Sequence, residues 1–121
     1  KTSEIESNRI EVAQDFARKY GLTLVLKGVP TVIASPNGEV YLNIAGNPGM
    51  ATAGMGDVLT GIIAGLLGQK IPPFEASILG VYLHGTAGDL TAESINERSI
   101  IAGEVLEKIP DAITNISESK T

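Results

Sequence analysis

Residues Gly46 to Asp57 read GNPGMATAGMGD and run directly into VLTGIIAGLLG, ending at Gly68. Four glycines in the first stretch give the backbone access to positive φ, which lets successive amides converge. The second stretch places Leu59, Ile62, Ile63, Leu66 and Leu67 at helical spacing. A flexible loop entering an apolar helix is the physical recipe for an anion site, because converging N–H groups and the helix dipole act at the same point. The lysine and spacing of the P-loop are absent, and so is GxGxxG. Gly61, Gly65 and Gly68 predict close approach by a neighbour, in a helix buried on most sides.

Upstream, Ser3 and Glu6 have capping-box spacing, and Ile5, Ile10, Val12, Ala13, Phe16 and Ala17 predict an amphipathic helix over residues 4–20, stopped by Gly21. Leu22 to Leu26 reads as a buried strand, and Thr31 to Ser35 and Glu39 to Asn43 as a hairpin turning at Pro36, Asn37 and Gly38. Downstream, Pro72 and Pro73 introduce a long helix with Ala76, Leu79, Leu83, Ala87, Leu90 and Ile95 on one face. A shorter helix is predicted from Ala102 to Ile109, the chain turns polar from Pro110, and Ser117 to Thr121 reads as a frayed tail. Helix, strand, hairpin and helices imply an α/β layer protein, yet about three strands are too few for a complete doubly wound sheet. The missing strands are expected from a preceding part of the same product or from a partner chain.

Composition narrows the function. At 121 residues, 43% hydrophobic and 19% charged, the sequence fits one modest globular domain. A net charge of −5 excludes a basic stripe for nucleic acid. The absence of cysteine excludes disulfides, thiolate metal sites and cysteine nucleophiles, and is compatible with a cytoplasmic location. Val58 to Gly68 falls well below the roughly 20 residues of a membrane span. The N-terminus lacks the pattern of a secretory signal.

Asp57 is the informative departure from a simple anion site. A carboxylate beside a phosphate is repelled unless it has a proton to take or a metal to hold, which points to a general base; the competing reading is an N-cap aspartate behind a turn. Lys27, at the end of the expected central strand, either neutralises phosphate charge or is an ordinary surface lysine. Thr31 either donates a hydroxyl to the same ligand or starts a strand. His84, the only histidine, reads as a packing residue. Asp89 and Glu93, spaced i, i+4, read as a solvated face rather than a metal pair.

Three segments together, LKGVPTVIASPNGEVYLN, GNPGMATAGMGDVLTGIIAGLLGQ and GVYLHGTAGDLTAE, resemble the ADP- or ATP-dependent NAD(P)HX dehydratases of the ribokinase-like superfamily, over nearly all of the chain. The resemblance implies a three-layer α/β/α fold of which this chain is the C-terminal part. It implies repair of hydrated NADH or NADPH (NADHX, NADPHX) with consumption of ADP or ATP and with Mg2+. By motif it implies nucleotide contacts from Lys27, Gly28, Val29, Pro30 and Thr31, and from Asn47, Pro48, Gly49, Met50, Ala51, Thr52, Ala53, Gly54, Met55 and Gly56. Asp57 becomes the base and the contact to the hydrated nicotinamide. Met55 stands where this family often has serine, so only the amides act there. The part of the family domain preceding Lys1 is implied to supply further strands and much of the nicotinamide pocket, so assembly with that half or as a homo-oligomer is expected. A small-molecule kinase for a vitamin precursor or sugar, and a non-catalytic nucleotide-binding fragment, are the alternatives.

Overall fold

A computed structural model describes the backbone of residues 2–47, 50, 54–95 and 102–119, and side chains within those segments over residues 8–115. Helix α1 (Thr2–Tyr20) is followed by strands β1 (Leu24–Leu26), β2 (Thr31–Ala34) and β3 (Val40–Asn43). Helices α2 (Met55–Gly68), α3 (Pro73–Ser94), α4 (Ala102–Glu107) and α5 (Ile109–Ser119) complete the chain.

Gly21, at φ 63°, ends α1 in a left-handed turn, and the Leu22 amide reaches back to the Ala17 carbonyl at 3.1 Å. The strands form an antiparallel meander in the order β1-β2-β3, with Val25 opposite Ile33 and Ile33 opposite Tyr41. At the hairpin turn the Ser35 Oγ accepts the amides of Asn37 and Glu39, each at 3.2 Å.

Alternation along β2 builds the layers. Val32 and Ala34 pack with Ala13 and Ala17 of α1 on one face, whereas Ile33 points the other way, against Leu59 of α2 and Val81 of α3. The sheet is thus sandwiched between α1 and the α2–α3 pair. A further cluster, Met55, Leu83, Ala87, Val105 and Ala112, joins α2 and α3 to α4 and α5. Among the described residues, no helix is long and apolar enough to cross a membrane.

Among the three described strands β2 lies between β1 and β3, and the strand before Lys27 is half-buried. Three features depart from the sequence reading. On α2 only Met55 and Leu59 are buried, and none of the described residues lies within 4 Å of a Cβ built at Gly61, Gly65 or Gly68. Close approach occurs instead at Gly80 of α3, where a Cβ would stand 2.6 Å from Ile63 Cγ1. Finally, Pro110 does not end the helical region. It sits in the first turn of α5, where its missing N–H would have no intrahelical partner, and the helix continues to Ser119 through part of the expected tail.

Candidate active site

Gly54 begins α2 in the left-handed conformation, at φ 86°, with no side chain capping the helix. Met55 is pinned in the core, so the first turn of α2 is fixed from below. Asp57 follows three residues after the cap and is exposed. The N-cap reading of Asp57 therefore fails: Gly54 is the cap, and the Asp57 carboxylate makes no hydrogen bond or ion pair among the described residues. Its place in the first turn is favoured by the helix dipole. The Lys27 ammonium, arriving from the end of β1, lies 3.0 Å from where a Cβ on Gly56 would sit. The Lys27 ammonium thus stands at the first turn of α2, the turn that also carries the exposed Asp57.

His84 of α3 stands beneath this junction. Its Nε2 is buried with no hydrogen-bond partner among the described residues. Burial lowers its pKa below the ordinary value of 6.5, and the neighbouring Lys27 charge lowers it further, so the ring is favoured neutral.

The Lys27–Thr31 turn is held from the α1 side. Arg9 donates from Nη1 to the Pro30 carbonyl at 3.1 Å and from Nη2 to the carbonyls of Lys27 at 3.3 Å and Leu26 at 3.5 Å. Gly28 lies against this guanidinium, where a Cβ would stand 2.3 Å from Nη2. Thr31 donates its hydroxyl to the Gly28 carbonyl at 3.1 Å, so it closes the turn as well as opening β2. Val29 projects into solvent, 93% exposed.

The glycine-rich loop is held from the α3 side. Gly46, at φ 113°, donates its amide to Asp89 Oδ2 at 3.0 Å, and Asn47 Nδ2 donates to Asp89 Oδ1 at 2.9 Å. The Met50 amide donates to the Asn47 carbonyl at 3.0 Å, and the Met50 side chain packs over Gly88 and Gly46. Pro48, Gly49, Ala51, Thr52 and Ala53 lie outside the described residues. Met50 and Met55 turn their side chains into the protein, which leaves only their backbones to face a ligand.

The solvated face expected for Asp89 is corrected here: it is part-buried and bound to the loop, while Glu93 is exposed. Sequence reasoning missed Asp89 and Arg9. The available signal was the pair Gly85 and Gly88, since glycine inside a helix is unfavourable and marks close packing. Among the described residues, no three acidic, histidine or cysteine side chains gather into a metal cluster. A broad depression lined by Leu22, Pro36 and Phe74 lies at the opposite end of the sheet and includes none of the candidate residues.

Residues 1–111 match the family described as NAD(P)H-hydrate dehydratase. The chain is 52% identical over 116 residues to the bifunctional NAD(P)H-hydrate repair enzyme Nnr of Moorella thermoacetica, covering 96% of this chain and 22% of that protein. It is 37% identical over 108 residues to the ADP-dependent (S)-NAD(P)H-hydrate dehydratase of Bacillus subtilis, covering 89% of this chain and 39% of that one. The solved ADP/ATP-dependent NAD(P)H-hydrate dehydratase of B. subtilis, co-crystallised with ATP/Mg2+, superposes with a TM-score of 0.86 at 35% identity. That overlap takes in 93% of this chain and 41% of the other. The chain therefore spans between about a fifth and two fifths of these relatives' length and carries part of their ribokinase-like fold. With the family match covering nearly the whole sequence, the chain belongs to the NAD(P)H-hydrate dehydratase family.

Proposed function

We propose that this chain forms the phosphoryl-handling part of an ADP- or ATP-dependent NAD(P)H-hydrate dehydratase, with Asp57 as its general base. The observation that carries the reading is the Lys27 ammonium beside Gly56 in the first turn of α2, the turn that also carries the exposed Asp57. The first amides of α2 and the Lys27 charge suit the terminal phosphates of the nucleotide. Asp57 accepts the proton of the nicotinamide-ring hydroxyl as that oxygen attacks the terminal phosphorus and the bond to the nucleotide's bridging oxygen breaks. Elimination of the resulting phosphate ester, with loss of a ring proton, then restores the double bond of NADH or NADPH.

The nucleotide would carry its own Mg2+ into the site. When bound, the ion neutralises charge on the phosphoryl oxygens. Neutral His84 beneath Lys27 adds no second positive charge, and the Lys27–Thr31 turn, with Val29 outermost, faces the rest of the nucleotide. The hydrated nicotinamide is bound largely by the part of the family domain that this chain does not cover, and the open face of α2 is consistent with assembly against it or against a second copy. A cytoplasmic setting fits the cofactor-repair reaction.

Asp57→Asn in the intact protein tests the base. Turnover falls on the order of 10²–10⁴-fold while nucleotide affinity stays within a few-fold, because the shape survives and the proton acceptor does not. Turnover equal to the parent protein removes Asp57 from the mechanism.

A further inference from the structure

The carboxylate of Asp89 faces two donors and the loop it holds is the one proposed to cradle phosphate. A carboxylate offers acceptors only, so it satisfies the Gly46 N–H and the Asn47 Nδ2 at once. The neighbouring residues of α3 complete the arrangement. Gly85 has no side chain where the Ala45 backbone passes: a Cβ there would stand 2.7 Å from the Ala45 carbonyl carbon and oxygen. Gly88 has none where Met50 packs: a Cβ there would stand 2.1 Å from the Met50 sulfur. Within a little more than one turn, α3 meets the loop's entry, its hinge and its first return.

Electrostatics makes the choice of residue informative. Asp89 withdraws the Gly46 N–H from the donors available to an anion and adds a carboxylate near the site, and both effects oppose phosphate binding. Its value must therefore be geometric. We infer that Asp89 is a positioning residue for the phosphoryl-transfer site: it clamps Gly46 and Asn47, the entry of the glycine-rich loop, to α3. Asp89 acts through the loop and does not itself touch the nucleotide. The inference rests on the phosphate role proposed above for that loop, while the clamp itself can be measured without nucleotide.

The test is a double-mutant cycle in the intact protein, reading the dissociation constant for ATP at a temperature where every variant is folded. Asp89→Ala weakens ATP on the order of tenfold, because the Gly46 N–H and the Asn47 side-chain amide both lose their acceptor. Asn47→Ala weakens it in the same direction, and the double variant is weaker than the parent by much less than the product of the two single effects. Unchanged affinity in Asp89→Ala, or strictly multiplicative effects, overturns the clamp.

Hydrogen exchange at the Gly46 amide of the unliganded parent supplies a second reading if the variants fail to fold. Protection supports the clamp, and exchange at the rate of a free peptide overturns it. If the parent binds no ATP while Gly46 is protected, the clamp stands and the phosphate reading of the loop is what has failed.

Discussion

Two segments precede or border the amino end of α2, and they are tethered with opposite hydrogen-bond polarity. The Lys27–Thr31 turn is held by its carbonyls, which point at the Arg9 guanidinium. The glycine-rich loop is held by its donors, which point at Asp89. For an anion site the first tether is electrostatically favourable: it occupies oxygen atoms that would repel phosphate and brings a second cation near Lys27. The second opposes binding and is explained by geometry alone. The two loops therefore divide the work, one contributing charge and the other contributing shape.

Variants that disturb one loop at a time break or sharpen that division. The largest effect is expected at Gly85→Ala. The new Cβ meets backbone rather than a yielding side-chain tip, so the protein loses about 1–3 kcal/mol by chemical denaturation and nucleotide affinity falls with it. Arg9→Ala comes next, with a loss of about 1–2 kcal/mol and a raised KM for nucleotide, as the Lys27 and Pro30 carbonyls lose their donor. Thr31→Val removes the single bond that closes the turn and is expected to lower stability by about 1 kcal/mol, with turnover nearly intact. If Arg9→Ala and Gly85→Ala change affinity in the same salt-dependent way, the distinction between charge and shape is wrong. The division predicts a steeper salt dependence only for the Arg9 loop.

The smallest expected effect concerns His84. Its folded-state pKa lies below 6.5, so the unfolded chain takes up the proton first as pH falls. The stability associated with the neutral buried ring is present above 6.5 and is lost on acidification through the interval down to the folded-state value. Melting temperatures measured between about pH 7.5 and 5.5 should fall more steeply for the parent than for His84→Gln.

Local signals in the sequence carried much of the fold and stopped where long-range pairing began. The periodicity of α1 and α3, and the Pro36-Asn37-Gly38 turn between two strand-like runs, identify those elements from neighbours alone. Strand order is not a local property: nothing in the residues around Lys27 shows that β1 pairs antiparallel with β2. Pro110 is a breaker by composition, but its position in the first turn of α5 makes it permissible. At the site, the motif marked Lys27 and Asp57, and the structure brings the elements bearing them to one end of the sheet. It could not mark Asp89 or Arg9. Asp89 meets its partners 42 and 43 positions away, and two of those contacts' four groups, like all of Arg9's named acceptors, belong to the backbone or to an amide common on surfaces. No motif spells out such contacts.

The proposed activity is tested most directly by supplying the intact protein with hydrated NADH and either ADP or ATP while following nucleotide consumption and the reduced nicotinamide ring together. The expected result is one NADH regenerated for each nucleotide consumed, with release of inorganic phosphate and no lasting phosphorylated product. Accumulation of a stable phosphate ester, or regeneration that proceeds equally well without nucleotide, would contradict it.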